Sequence, residues 1–323
     1  MTSIAVLDDW QNVARASADW SPVLARADVR FFHDAFDGED AAAQALSPFE
    51  IVLTIRERTP FPASLAQRLP KLRMLGMTGQ RAALIDVAAL VERGVTVCTT
   101  GGGPSGASTA ELALGLMLAA ARRIPAGDAA VRDGRFQRGT TAGPVLAGKT
   151  AGIIGLGRIG SLMARYCRAL DMRVLAWSQN LTAQTASAAG AVHVAKDALL
   201  ASADVVSLHL VLSERTRGIL GAAELSRMRP GAILVNTARA ALVEEAALIA
   251  AVQSGRLIAA LDAFHQEPLP ADHPLARAAN TVLTPHLGYG AVEVYAEYYR
   301  HTVENVLAFL DGKPIRVLQA PKG

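Results

Sequence analysis

Cysteine is scarce. The chain has two in 323 residues, Cys98 and Cys167, far apart and in no CxxC or Cys/His cluster. That spacing excludes a zinc site built on paired ligands and a disulfide framework, and two lone thiols fit a reducing, cytoplasmic compartment. Long hydrophobic runs are also missing. The longest, Leu112 to Ala121, is too short to span a bilayer and runs into Arg122 and Arg123, so no membrane association is expected. The N-terminus MTSIAVLDDW lacks a basic start and meets Asp8 and Asp9 at once, unlike a signal peptide. Neither sign of charge dominates, with 32 Lys plus Arg against 29 Asp plus Glu and a formal net charge of +3. No Lys/Arg cluster is interleaved with aromatics, so nucleic-acid binding has no electrostatic footprint. No fixed-period repeat occurs.

What is present is a chain 51% hydrophobic and 19% charged, long enough for about two domains at roughly 100–200 residues each. Short apolar runs alternate with amphipathic stretches. Ser3–Leu7, Val29–Phe32, Ile51–Thr54, Arg73–Gly76 and Val95–Cys98 read as strands, and Asp40–Leu46, Pro62–Leu69 and Leu84–Arg93 as helices. Such alternation predicts a parallel sheet covered on both faces. The run Thr99-Thr100-Gly101-Gly102-Gly103-Pro104-Ser105-Gly106 then breaks the pattern and reads as a hinge. A long Ala/Leu-rich helix is expected over Ser108–Arg123, placed between two domains.

A second series follows Lys149. Ala151–Ile154, Arg173–Trp177, Val205–Leu208, Ala232–Val235, Ile258–Leu261 and Val282–Leu283 read as strands. Arg158–Leu170, Lys196–Ala201, Ala222–Met228, Glu244–Ser254 and Glu293–Leu310 read as helices. This predicts a second open parallel sheet.

Gly155-Leu156-Gly157-Arg158-Ile159-Gly160 sits between an apolar strand and an amphipathic helix. Gly155 suits a tight turn, Gly157 lets the backbone approach a pyrophosphate, and Gly160 lets helix and strand pack closely. The helix N-terminus would offer N–H groups to phosphate. The acid that holds a ribose 2′-hydroxyl at the end of the next strand is missing. Ser178 stands there, followed by Gln179 and Asn180, with no Arg to clamp a 2′-phosphate. NAD is the first expectation and NADP the alternative.

Three further segments lie just beyond predicted strand ends, where open α/β sheets bind ligands. They are Val235-Asn236-Thr237-Ala238-Arg239, Leu261-Asp262-Ala263-Phe264-His265-Gln266-Glu267-Pro268-Leu269 and Thr284-Pro285-His286-Leu287-Gly288. Together they give an Arg, a Glu and a His, a set suited to a 2-oxo acid. The cation meets its carboxylate and the His gives a proton to its carbonyl.

With Ala203-Asp204-Val205-Val206-Ser207-Leu208-His209 and Met228-Arg229-Pro230-Gly231-Ala232 added, nearly the whole chain resembles the D-isomer-specific 2-hydroxyacid dehydrogenases. That group holds D-3-phosphoglycerate, glyoxylate/hydroxypyruvate and D-lactate dehydrogenases. The resemblance implies that Arg239 orients the substrate carboxylate and polarises the C2 carbonyl, as a planar bidentate fork can. It implies that His286 is the acid/base and that Glu267 hydrogen-bonds the imidazole, fixes its tautomer and favours its charged form. Asp262 would stand near the nicotinamide carboxamide. Besides Gly155, Gly157 and Gly160, the implied cofactor contacts are Arg158, Ile159, Ser178, His209, Thr216, Thr237, Ala238 and Gly288. Thr78 and Gly79 would receive the substrate carboxylate through backbone N–H groups, with Arg81 adding charge.

The departures from the family pattern are Ala240 where Gly usually follows the Arg, His209-Leu210-Val211 in place of His-x-Pro, Ser178 in place of an acid, and Tyr289, which puts a phenol beside the site. Trp10 and His265 are further pocket candidates. Tyr295, Tyr298 and Tyr299 share one helical face and are expected to pack on the first domain. Phe136 is expected at a dimer contact.

The implied architecture is α/β with two domains and parallel sheets. A flavodoxin-like substrate domain is formed by residues 1–103 and 288–323, and a Rossmann NAD(P)-binding domain, residues 104–287, is inserted in it. The cleft between them would hold cofactor and substrate, with hinges near Gly101–Pro104 and Leu287–Gly290. The end at Gly323 leaves no room for an added regulatory domain. The expected activity is NAD(P)-dependent interconversion of a 2-oxo acid and a D-2-hydroxy acid, by a cytoplasmic homodimer without a bound metal. A non-catalytic NAD(H)-sensing protein, as among the family's corepressors, stays open, as does a phosphite or other-donor dehydrogenase.

Overall fold

The computed structural model describes residues 1–55, 58–80 and 84–318. The chain divides into two compact units, Met1–Pro104 with Ala291–Gly323, and Ser105–Gly290.

The first unit is built on five parallel strands, β1 (Thr2–Val6), β2 (Ala27–Phe31), β3 (Ile51–Thr54), β4 (Met74–Met77) and β5 (Thr96–Thr99), in the order β2-β1-β3-β4-β5. β3 and β4 are buried at every position, as apolar runs covered on both faces must be, while the edge strand β2 alternates between buried and exposed. Phe61, Leu65, Leu69, Leu75 and Leu90 fill one face. The helix Val87–Glu92 starts where the Asp86 carboxylate accepts the Ala89 N–H at 3.0 Å, satisfying an otherwise orphaned donor. The closing helix Val292–Leu310 belongs to this unit and buries Tyr295, Tyr298 and Tyr299. Tyr295 stacks on Tyr299 with ring centroids 6.2 Å apart. The segment after that helix runs antiparallel to β5, with Thr99 N–H on the Arg316 carbonyl at 3.0 Å and Leu318 N–H on the Val97 carbonyl at 2.8 Å.

The second unit holds seven parallel strands, β6 (Thr150–Ile154), β7 (Arg173–Trp177), β8 (Val192–His193), β9 (Val205–Leu208), β10 (Ile233–Asn236), β11 (Ile258–Leu261) and β12 (Thr281–Leu283). Their order is β12-β11-β10-β9-β6-β7-β8. The chain runs outward from β6 through β7 to β8, then returns to the other side at β9. That reversal between β6 and β9 opens a crevice at their carboxyl ends, where this type of sheet takes a ligand.

Among the local differences from expectation, two concern the helices that follow the first sheet. The long helix spans Ser105–Arg122 and starts directly after Pro104, so the last residues of the expected hinge form its first turn. A preset φ suits Pro at a helix start. Gly106 packs against Arg158, whose Nε would lie 2.9 Å from a Cβ there. A separate helix, Ile124–Arg132, was not foreseen. It begins after Arg123 turns left-handed (φ 55°), with Pro125 in its first turn.

Candidate active site

At the end of β6 the three loop glycines meet three different constraints. Gly155 has φ +97°, and a Cβ would lie 2.7 Å from the His209 carbonyl carbon and 2.8 Å from Leu210 N, so the ends of β6 and β9 touch through it. A Cβ on Gly160 would lie 2.0 Å from the Gly155 carbonyl oxygen, which ties helix to strand. Around Gly157 nothing stands within 4 Å of a Cβ. Open space over the N-cap of the helix Arg158–Ala169 is the cradle a diphosphate needs. Arg158 is exposed and Ile159 half-buried at the helix start, and Ser178 is half-buried just past β7.

Past β9, His209 Nε2 stands 2.9 Å from the Ser207 hydroxyl, and desolvation of the ring lowers its pKa to about 4. The imidazole is therefore neutral near pH 7. Thr216 folds its own turn, its hydroxyl donating to the Val211 carbonyl and accepting the Ser213 N–H, both at 2.8 Å. Past β10, the buried Thr237 hydroxyl finds no hydrogen-bond partner among the described residues. An unsatisfied buried hydroxyl costs free energy unless a ligand completes it. The glycine cradle and this hydroxyl fit a dinucleotide.

The adjacent strands β10, β11 and β12 bring the three chemical segments to one edge, with Asn236 paired to Leu261 and Leu261 to Leu283. Asn236, buried, builds the turn that presents Arg239. Its amide oxygen accepts the Ala238 N–H and its amide nitrogen donates to the Arg239 carbonyl, each at 3.0 Å. Arg239 Nη1 donates to the Ala238 carbonyl at 2.7 Å. Ala240 opens a short 3-10 turn, Ala240–Leu242, and its Cβ is accommodated there.

His286 has a left-handed backbone (φ 56°), a conformation that costs a β-carbon-bearing residue on the order of 1 kcal/mol. Asp262 holds that turn. Its Oδ1 accepts the Thr284 hydroxyl at 2.6 Å and the Leu287 N–H at 2.7 Å, and its Oδ2 accepts the Gly288 N–H at 2.8 Å. Burial raises the Asp262 pKa, opposed by these hydrogen bonds and by His286. Glu267 bridges its own loop and the imidazole. Oε1 accepts the Phe264 N–H at 2.9 Å, and Oε2 lies 2.7 Å from His286 Nδ1. With a carboxylate on Nδ1, a proton exchanged by this imidazole with a ligand would pass through Nε2. Tyr289 stands beside the imidazole, ring centroids 5.9 Å apart. His265 is held by the Val243 carbonyl, 3.2 Å from its Nε2.

The other expected residues lie in the first unit. Thr78 is buried with its N–H on the Thr54 carbonyl at 3.1 Å, and the Gly79 N–H donates to the Thr100 hydroxyl at 2.9 Å. Both N–H groups expected to receive a carboxylate thus have acceptors within the unit. Arg81 lies outside the described residues. Trp10 is covered by the Arg58 guanidinium, 4.5 Å from the ring centroid. Asp8 accepts the Thr54 and Thr59 hydroxyls at 2.7 and 2.8 Å, and burial raises its pKa. Among the described residues no three His, Cys, Asp or Glu group to hold a metal ion, and no helix is long and apolar enough to cross a membrane.

Asn236, Thr284 and the Asp262 clamp on the 284–288 loop carried no assigned part in the sequence. The available signal was a polar residue directly after a buried apolar strand.

Comparison with known proteins agrees with this geometry. Residues 114–288 match the NAD-binding domain of the D-isomer specific 2-hydroxyacid dehydrogenases. D-3-phosphoglycerate dehydrogenase of Archaeoglobus fulgidus is 38% identical over 265 residues, 82% of this chain and 50% of that protein. Glyoxylate reductase of Aeropyrum pernix is 38% identical over 257 residues, 77% of this chain and 76% of that protein. A crystal structure of phosphoglycerate oxidoreductase from Vibrio cholerae O395 superposes with TM-score 0.91 at 38% identity, covering 97% of this chain and 100% of that one. The chain spans about half the length of the curated D-3-phosphoglycerate dehydrogenases it matches.

Proposed function

The chain belongs to the D-isomer-specific 2-hydroxyacid dehydrogenases, its seven-stranded unit being the family's Rossmann NAD-binding domain, and on that premise we propose that it interconverts a 2-oxo acid and its D-2-hydroxy acid. The observation that carries the proposal is the 2.7 Å contact between Glu267 and His286 Nδ1, on the sheet edge that also presents Arg239.

Arg239 binds the substrate carboxylate and polarises the C2 carbonyl. His286 Nε2 donates a proton to the carbonyl oxygen during reduction and takes it back during oxidation. Glu267 holds the imidazole in register through Nδ1, and its carboxylate faces the ring that gives up the proton at Nε2. When bound, NADH supplies the hydride that C2 receives, leaving NAD⁺ and the 2-hydroxy acid. Gly155, Gly157, Gly160 and the start of the helix at Arg158 and Ile159 would hold its diphosphate, and Thr237, Ala238 and Gly288 its nicotinamide end. An ionised carboxylate has about four acceptor sites, and Asp262 uses three on its own loop. The fourth is assigned to the carboxamide. Ser178, His209 and Thr216 would border the adenosine half. With no cation beside Ser178 in the sequence to hold a 2′-phosphate, NAD is placed ahead of NADP.

The working form is assigned as a cytoplasmic homodimer. Ile124, Val131, Phe136 and Val145 are exposed on the Rossmann unit, Phe136 by 70%, and a second copy would cover them.

The test is oxidation of NADH and NADPH at 340 nm against glyoxylate, hydroxypyruvate, pyruvate, phenylpyruvate and 2-oxoglutarate. Turnover of at least one acid, faster with NADH, is expected. NADH binding with no turnover of any would replace the enzyme by a nucleotide-sensing protein.

A further inference from the structure

The helix Ser105–Arg122 has no part in the function proposed above, yet it packs against β10, β11 and β12, the strands that precede Arg239, Glu267 and His286. In its first turn the Ser108 hydroxyl donates to the carbonyl of Gly288, just past His286, at 2.9 Å. The Thr109 hydroxyl lies 2.9 Å from the same carbonyl and 2.8 Å from the Ser105 carbonyl of its own helix. A hydroxyl has one proton to donate. Thr109 divides it between two acceptors, whereas among the described residues Ser108 donates to Gly288 alone.

Gly288 is buried and held at its other polar group as well, its N–H donating to Asp262 Oδ2 at 2.8 Å. A Cβ there would meet Asp262 Oδ2 at 3.2 Å and Thr109 Cγ2 at 3.3 Å, so the backbone is enclosed as well as bonded. His286 needs such support. Its left-handed backbone (φ 56°) persists only where the surroundings hold it. β12 is an edge strand, so a neighbouring strand supports the loop after it on one side only. We propose that Ser108 is a positioning residue for the proton transfer. Through the Gly288 carbonyl, its hydroxyl fixes the turn at 286–288 and keeps the His286 imidazole aligned between Glu267 and the substrate carbonyl. Arg239 stands on the separate segment after β10 and binds the carboxylate without this bond. Loss of the bond therefore acts on kcat and leaves KM nearly as it was. The inference rests on the proposed hydroxyacid dehydrogenase activity and on His286 as its acid/base.

The experiment measures kcat, KM and Tm for the wild type, Ser108→Ala, Ser108→Thr and Thr109→Val, with the 2-oxo acid that the wild type reduces best. Ser108→Ala is expected to lower kcat by about 10–100-fold, the scale of a small misplacement of a reacting group. KM for the acid should stay within about threefold, since carboxylate binding is untouched. Its Tm should stay within about 3 °C of wild type, because alanine favours the helix by about as much as the lost hydrogen bond cost it. Ser108→Thr keeps the hydroxyl, and Thr109→Val leaves Ser108 in place, so both should keep kcat within about threefold of wild type. A Ser108→Ala kcat within threefold of wild type would overturn the inference. So would a rise in KM at unchanged kcat, which would make Ser108 a binding contact, or a Ser108→Thr variant as slow as Ser108→Ala, which would take the role from the hydroxyl. Wild-type silence on every acid with NADH bound would instead defeat the functional proposal, and the inference with it.

Discussion

The glycine loop can be tested by two substitutions that ought to fail differently. In Gly160→Ala the new methyl would lie 2.0 Å from the Gly155 carbonyl oxygen and 3.0 Å from its carbon. The obstacle is backbone, so strand end and helix must separate by on the order of 1 Å to restore ordinary contact. Overpacking costs about 1–3 kcal/mol, and removing a helical glycine returns at most about 1 kcal/mol. The net loss of about 1–2 kcal/mol corresponds to a Tm fall of roughly 2–8 °C. In Gly157→Ala the methyl enters open space, at φ −83°, which alanine adopts freely. The apo protein should melt within about 2 °C of wild type, because the cost at an N-cap and the entropic gain in the unfolded chain nearly cancel. NADH affinity should nonetheless fall at least about tenfold, or about 1.4 kcal/mol, since the methyl stands where the diphosphate would approach. Thermal melts of the apo variants and energy transfer from Trp177 to NADH read both quantities. An unchanged Kd in Gly157→Ala would refute the assignment of the cradle. A wild-type Tm in Gly160→Ala would refute the close contact of helix and strand.

Glu267→Gln retains shape but loses the charge that faces the imidazolium. A charge-assisted hydrogen bond of about 1.5–3 kcal/mol implies a kcat lower by about 10–150-fold with little change in Tm, and steady-state kinetics at one pH decides it. Ser178→Asp introduces the acid that would hold a ribose diol and repel a 2′-phosphate, so the NADH/NADPH ratio of kcat/KM should rise at least tenfold; an unmoved ratio would remove Ser178 from the ribose. His209 has a folded pKa of about 4 against 6.5 when unfolded, so the unfolded chain binds the extra proton between those values. Its contribution to stability is present above pH 6.5 and lost as pH falls toward 4, by about 2 kcal/mol between pH 7 and pH 5. Urea titrations of His209→Gln should show a pH dependence flatter by that amount.

Much of the sheet structure was legible because both sheets consist of short apolar runs buried on two faces. β3, β7, β9 and β11 have the bounds that hydrophobicity alone predicts. Burial, a property of the whole run, sets those limits. β8 was missed because its two residues, Val192 and His193, are exposed and carry no apolar signal. The helix Ile124–Arg132 carries Pro125 and Gly127, residues that disfavour a helix interior, which hides it in the sequence although Pro is welcome in a first turn. Of the run Thr99–Gly106 that reads as a hinge, only the last two residues, Ser105 and Gly106, lie inside a helix. Gly106 reads as conformational freedom in the sequence, and in the structure it is a buried helical residue beside Arg158.

The site was partly legible. Arg239, Glu267 and His286 stood out because their spacing followed strand ends. The residues that aim them, Asn236 and Asp262, act through hydrogen bonds to backbone groups across turns, which a linear sequence does not display. The bonds from Thr78 and Gly79 to Thr54 and Thr100 were hidden for the same reason.

The most direct test of the account is His286→Ala, assayed for turnover of the best 2-oxo acid and for NADH affinity in the same preparation. General acid catalysis by a positioned group is worth about 10²–10⁴-fold, so kcat should fall within that range while the NADH Kd stays within about threefold. A variant that reduces the acid at close to the wild-type rate would contradict the central claim, that the Glu267–His286 pair is the proton donor.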